Sequence, residues 1–162
     1  KPEAAKKAEA AAQPAVVFSL DESSQGHATP LSILYGSDGG STTELAERVM
    51  ETAQELGFAP TVKPLNEAIG DPALGTDGLL LVLSATYNGC PPANAGDFVN
   101  FCGAAIERHE RPVDARFAVL GCGHSDWADT FQAIPTLLDE SLEKIGGHRL
   151  LDLHTADSKK AP

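Results

Sequence analysis

The stretch LSILYGSDGGSTTELAERVMETAQELG, residues 31–57, decides the fold. Its first six residues are an apolar run that reads as a strand. Its last part carries Leu45, Val49, Ala53 and Leu56 at helical spacing, and Gly57 stops the helix. Between them lies GSDGGSTT, a turn of glycines and hydroxyls too short for anything but a direct passage from strand to helix. A strand that feeds a helix in this way is the first half of a β-α-β unit, in which the next strand returns parallel to the first.

The pattern repeats downstream. APTVKPL (59–65) is a poor strand, weakened by Pro64 and so expected near an edge. DGLLLVLSA (77–85) is continuously apolar, as parallel strands buried on both faces are. Phe98, Cys102, Ala105 and Ile106 mark a helix over 93–108, and ARFAVLGCG (115–123) is another buried strand. Ile134, Leu137, Leu138, Leu142 and Ile145 line a helix ending at Gly146–Gly147, and HRLLDLH (148–154) predicts a last strand. This alternation calls for an α/β, doubly wound, flavodoxin-like five-stranded parallel sheet of order 2-1-3-4-5, with a ligand outside the strand ends where the order reverses. Such a sheet ordinarily gains a helix after its fifth strand. TADSKKAP is too short and polar to supply one, so the C-terminal helix is expected to be missing.

The domain is expected to span 31–157. Residues 1–30, rich in Ala, Lys, Glu and Ser with prolines at 2, 14 and 30, read as an inter-domain linker or tail, with AVVFSL resting on a neighbour. Residues 158–162 read as a polar tail. No run approaches the roughly 20 apolar residues of a membrane span, and the N-terminus lacks the apolar centre of a secretory signal. Cys90, Cys102 and Cys122 show no C-x-x-C spacing, which points to reduced thiols in a cytoplasmic protein. The five histidines are scattered, against zinc. Residues 31–153 hold 7 Lys/Arg and 18 Asp/Glu, so this segment matches the chain's net charge of −11. That charge excludes nucleic acid as a partner, whose phosphates it would repel, and permits steering toward a basic protein surface.

Three unusual loops follow the first, third and fourth predicted strands, all at the carboxyl edge of the sheet. In the first, Gly36, Gly39 and Gly40 allow close backbone approach to an anion. Ser37, Ser41, Thr42 and Thr43 offer hydroxyls, and a helix N-terminus follows. The lysine of a nucleotide-triphosphate loop is absent, and Asp38 is expected to point outward or cap a turn. The same residues also read as an ordinary helix start after a glycine turn. In the second, SATYNGCPPANA (84–95), Tyr87 stands in a polar loop stiffened by Pro91 and Pro92, able to stack on a planar ligand or to pack on its own turn. In the third, LGCGHSDWADTFQ (120–132), the sole tryptophan, Trp127, lies on a polar loop after Gly121, Cys122 and Gly123. Cys122 reads as space-filling and His124 as a surface residue. A phosphate nest and two aromatic faces about one ring-stack apart suit a phosphorylated flat heteroaromatic, for which flavin mononucleotide (FMN) is the candidate.

LYGSDGGSTTELA, SATYNGCPPANAGDFV and LGCGHSDWADTFQAIP resemble the FMN-binding domain of diflavin reductases. The similarity is greatest to the fusions in which a cytochrome P-450 haem domain continues into its own reductase. It runs from about His27 to about Asp157. The resemblance implies a phosphate seat of Ser37, Asp38, Gly39, Gly40, Ser41 and Thr42. It implies a ring sandwich of Tyr87 and Trp127, with Ser84, Ala85, Asn88, Gly89, Cys122, Gly123 and Asp126 around the ring. Gly39 replaces a larger residue and Asp126 a common amide, which implies a flavin potential displaced from that of relatives.

The function implied is electron relay. NADPH reduces FAD in a downstream domain, and electrons pass singly through FMN to an upstream haem, in a parent enzyme whose relatives can dimerise. No residue of this domain acts as acid, base or nucleophile, and no metal or membrane is involved. Competing readings are a free-standing flavodoxin-type carrier, the FMN domain of another diflavin reductase, a phosphoacceptor signalling domain and a cofactor-free interaction domain. The signalling reading lacks its acidic cluster, and His154 stands where its lysine would be.

Overall fold

A computed structural model describes residues 26–160. Among these residues six strands and three helices follow one another. They are β1 (Pro30–Gly36), α1 (Ser41–Glu55), β2 (Ala59–Pro64), β3 (Leu79–Ser84), α2 (Gly96–Glu107), β4 (Arg116–Gly123), α3 (Ala133–Lys144), β5 (His148–Arg149) and β6 (His154–Asp157). Two 3₁₀ turns, Leu65–Ala68 and Pro72–Gly75, connect β2 to β3. The sheet is parallel in the expected order β2-β1-β3-β4-β5, with β6 also beside β4. Proline-bearing β2 lies at the edge, where Pro64 does not interrupt a central ladder.

Alternation along the strands divides the core. Leu34, Leu80, Val82, Phe117 and Val119 point to the side covered by α2 and α3, where Phe98, Cys102, Leu138 and Leu142 are buried among them. Ile33 and Leu83 point the other way and pack with Ala46 of α1. Burying a side chain of this size contributes roughly 1.5–3 kcal/mol. On the α1 side Leu81 and Leu120 remain only half-buried. No helix follows β6 among the described residues.

The predicted last strand, 148–154, is corrected by the structure. It breaks into β5 and β6, and the residues between them bulge from the ladder. From Phe117↔Arg149 to Leu120↔His154, β4 advances three residues and its partner five. Arg149 anchors the near side of the bulge. Its guanidinium meets the Asp139 carboxylate at 3.0 Å and Glu143 at 3.0 Å, both on α3. Leu150 and Leu151 are therefore turned out, 52% and 57% exposed, although the sequence reads them as a buried run. Leu137, assigned to the buried stripe of α3, is 41% exposed as well. The linker expectation for 1–30, AVVFSL included, falls almost wholly outside the described residues. The described portion begins with Gly26 against Gly57, where the Ala28 N–H donates to the Gly57 carbonyl at 2.8 Å.

Two features test this packing. Gly146 ends α3 at φ +112°, and a Cβ there would stand 2.2 Å from the Val113 carbonyl oxygen. Replacing Gly146 with Ala forces either the α3–β5 turn or the Val113 backbone to move, and a loss of about 3 kcal/mol is expected in urea unfolding. Asp71 caps the second 3₁₀ turn through the Ala73 N–H at 2.9 Å and pairs with Lys63. The Lys63 hydrogen bond, then the Ala73 N–H, hold its carboxyl below the ordinary 3.8. Its stabilisation is thus complete above that value and is lost as pH falls through the depressed one. Asp71→Ala is expected to destabilise by about 1 kcal/mol at neutral pH, with the difference from the unaltered protein shrinking in acid.

Candidate functional site

The three loops meet because the strands that launch them end level with one another. Gly36 pairs with Ser84, and Ser84 with Gly121, across β1, β3 and β4. Ser84 is fully buried there, its hydroxyl donating to the Ala85 carbonyl at 3.0 Å, so it supports the loops from beneath rather than facing a ligand.

The first loop is tied to the second at four points. Asn94 Oδ1 accepts the Ser37 N–H at 2.9 Å, and Asp38 Oδ1 accepts the Ala93 N–H at 2.8 Å. The Tyr87 hydroxyl accepts the N–H groups of Asp38 at 3.3 Å and Gly39 at 3.1 Å. Asp38 therefore spends its negative charge on loop geometry, which is how a carboxylate is accommodated beside an anion seat. Gly40, at φ +86°, turns the chain into α1. Its N–H donates to Ser37 Oγ at 3.1 Å. The helix opens without a side-chain cap, and the N–H groups of Ser41, Thr42 and Thr43 meet no protein acceptor among the described residues. These amides and the positive end of the helix dipole attract an anion.

The second loop is a two-residue hairpin that the sequence reading missed. Tyr87 and Cys90 exchange backbone hydrogen bonds of 3.0 and 2.8 Å around Asn88-Gly89. Both turn residues have positive φ, 51° and 77°, the conformation that Asn-Gly favours. The dipeptide itself was the available signal. Thr86 then reaches the third loop, its hydroxyl accepting the Ile134 N–H of α3 at 3.0 Å. Asn66 anchors the far end of the second loop: its carbonyl oxygen caps α2 at the Phe98 N–H, 3.0 Å, while its amide donates to the Ala93 carbonyl.

The third loop turns at His124, whose carbonyl accepts the Trp127 N–H at 3.1 Å, and presents the indole 70% exposed. The Asp126 carboxylate pairs with Lys159 and lies 3.7 Å from His124 Nδ1, so its charge is met by a protein cation.

Between the loops lies a cleft of about 950 Å³. Of the residues expected at the site, Ser41, Thr42, Ala85, Tyr87, Asn88, Cys122, Gly123 and Trp127 line it. Ser37, Asp38, Gly39, Gly40, Ser84, Gly89 and Asp126 shape or flank it. His124, read from the sequence as a surface residue, also lines it, as do Arg48, Thr130 and the segment Thr155–Ser158 with Lys160. Arg48 was legible, since it continues the helical spacing from Ser41 and Leu45. The C-terminal segment was not, because only the β4–β6 register places it beside the third loop.

A phosphorylated planar ligand fits this cleft at both ends. The Thr42 hydroxyl, 1% exposed, has no hydrogen bond that satisfies it, and an unsatisfied buried hydroxyl costs about 1–3 kcal/mol. The group beside it is the Cys122 thiol, whose pKa burial pushes up, partly offset by that hydroxyl. This thiol is no activated nucleophile. At the other end, the rings of Tyr87 and Trp127 pair with no aromatic neighbour among the described residues. Among those residues there is also no His, Cys, Asp and Glu group able to hold a metal ion, nor a helix long and apolar enough to cross a membrane.

The flavodoxin family matches residues 33–162 of the chain. The chain is 39% identical over 134 residues to a bifunctional cytochrome P450/NADPH–P450 reductase of Fusarium oxysporum, and 34% identical over 137 residues to one of Bacillus subtilis. These alignments cover 82% and 85% of this chain but 12% and 13% of the relatives, so the chain spans about an eighth of their length. In structure it resembles a flavodoxin from Pseudomonas aeruginosa, with a TM-score of 0.67 and 20% identity over 82% of this chain and 87% of that one. A short-chain flavodoxin associated with a bacterial microcompartment has a TM-score of 0.65 at 17% identity, covering 80% of this chain and 85% of that one.

The Tyr87 hydroxyl is a joint between the first two loops. Tyr87→Phe removes the acceptor for two amides, and amide exchange at Asp38 and Gly39 is expected to accelerate about fivefold in the ligand-free protein, in line with the roughly 1 kcal/mol of one hydrogen bond.

Proposed function

The chain belongs to the flavodoxin family, whose cofactor is FMN, and on that premise we propose that it is the FMN-binding electron-transfer domain of a self-sufficient cytochrome P450 monooxygenase. In this reading it receives electrons from an FAD domain reduced by NADPH and passes them singly to a haem-thiolate domain of the same polypeptide. The observation that carries the reading is one cleft with an uncapped helix start and an orphaned Thr42 hydroxyl at one end and the exposed Trp127 indole at the other. The identity to P450–reductase fusions supports the place in the relay.

The α1 amides and the hydroxyls of Ser37, Ser41 and Thr42 would hold the phosphate, with Gly39 and Gly40 keeping the backbone low beneath it. Tyr87 and Trp127 would cover the two ring faces. Ala85, Asn88, Gly89, Cys122 and Gly123 would border its edges with backbone groups and a small thiol. FMN, when bound, supplies the redox chemistry by taking up and releasing electrons one at a time. The side chains orient the ring and exclude water from its faces. Asp126, neutralised by Lys159, contributes less negative potential at the ring than a lone carboxylate would. The net charge of −11 would speed docking on a basic haem-domain face, more so at low salt.

A free-standing carrier would share this cleft. Electron transfer to a P450 haem domain, with a rate that falls as salt rises, separates the two readings. The first experiment is reconstitution. The purified chain is expected to take up one FMN, quench its fluorescence and show a two-banded yellow spectrum. A folded chain that stays colourless with added FMN would refute the assignment. Trp127→Ala, which removes one stacking face, is expected to weaken FMN binding at least about tenfold, the equivalent of 1.4 kcal/mol.

A further inference from the structure

The residues that follow the expected last strand grip the loop that carries Trp127. β6 runs in register beside β4, pairing Asp157 with Gly123. The Asp157 side chain is only 7% exposed. Its Oδ1 accepts the Ser125 N–H at 3.1 Å and the Lys159 N–H at 3.1 Å. The N–H and hydroxyl of Ser158 both donate to the Gly123 carbonyl, at 2.8 and 3.1 Å. Lys159 reaches across to Asp126. Three consecutive residues thus hold Gly123, Ser125 and Asp126, the approach to Trp127.

The indole itself has little to hold it, since Trp127 is largely exposed and only its backbone N–H is tied down, to the His124 carbonyl within the turn. A carboxylate that accepts two N–H donors is a strong, short-range clamp, because charge-assisted hydrogen bonds are about twice as strong as neutral ones. The charged groups around it are Lys160, at 4.0 Å from Asp157 Oδ2, and the Lys159–Asp126 pair, with the His124 ring 3.7 Å from Asp126. We propose that Asp157 is a positioning residue for the cofactor site, clamping the 123–126 backbone so that Trp127 is presented to the ring face already oriented. The proposal rests on the FMN reading for its consequence, but the clamp can be observed without FMN.

Trp127 is the only tryptophan, so its fluorescence anisotropy reports this loop alone. In FMN-free protein, Asp157→Ala is expected to lower the residual anisotropy of Trp127 with unchanged far-ultraviolet circular dichroism. The same variant is expected to bind FMN about tenfold more weakly. Asp157→Asn keeps an acceptor oxygen for the Ser125 N–H and should restore both properties to within about threefold of the unaltered protein. Unchanged anisotropy in Asp157→Ala overturns the proposal, whether or not FMN affinity falls, because the residue would then act by direct contact or not at all. An Asn variant as defective as the Ala variant overturns it too, since an acceptor oxygen at this position would then not be what holds the loop. If Asp157→Ala does not fold, amide exchange in the unaltered protein decides. Slower exchange at Ser125 than at Asp129 supports the clamp, and equal exchange refutes it. Failure of the unaltered protein to bind FMN would refute the functional reading alone.

Discussion

Everything at the site depends on three strands ending at the same height. The parallel ladders of β1, β3 and β4 place Gly36, Ser84 and Gly121 in one row, so each loop leaves the sheet beside the next. The row must be small. A Cβ on Gly36 would lie 2.9 Å from both the Ala95 Cβ and the Ser84 hydroxyl, and one on Gly121 would collide with the side chain of Gln132 and, at 2.9 Å, with the Pro135 Cβ. Gln132 fills the space behind Gly121 and accepts a left-handed backbone at φ 65° to do so. The core below is ordinary aliphatic and aromatic packing. The constraint that turns it into a site is this narrow line at its upper edge.

Above that line the loops stabilise each other through hydrogen bonds rather than through a core of their own. Polar side chains of one loop satisfy backbone groups of another, Asp38 for Ala93 and Asn94 for Ser37, and Thr86 does the same for Ile134 in the first turn of α3. A loop held in this way keeps its backbone donors fixed before a ligand arrives, which lowers the ordering cost of binding. Among the described residues the Ser41–Thr43 amides and the Thr42 hydroxyl are left over once the loops have satisfied themselves, as is the buried side-chain amide of Gln132 behind Gly121. The same division explains the acidic residues. Asp38 and Asp126 stand close to an anion site, yet each is committed to a protein donor or cation.

The limits of sequence reading show in particular elements. The run Leu150–Leu153 has the composition of a buried strand, but Arg149 anchored to α3 and a two-residue mismatch against β4 turn Leu150 and Leu151 outward. Composition cannot register that mismatch, because it depends on where a distant strand ends. The residues after His154 are polar and few and give no local sign of a strand. In the fold Thr155–Asp157 complete the sheet, and Asp157 is among the residues that line the cleft. Asn66 gives no local sign of capping a helix whose first turn is thirty residues away.

What the sequence determined by itself was everything carried by short-range periodicity and turn chemistry. The apolar runs and helical stripes specified the parallel α/β order, since right-handed crossovers leave few alternatives. The glycines, hydroxyls and two aromatics in the loops identified the kind of ligand, since those residue types have few other uses together at a strand edge. Only the tertiary structure decided which of these groups face the cleft and which are consumed in holding it. It decided that Asp38 caps a neighbouring loop, that Tyr87 spends its hydroxyl on two amides, and that the chain's last polar residues close the site. The reason is that hydrogen bonds between loops depend on through-space register, and residues 48 to 57 positions apart acquire that register only when the sheet forms.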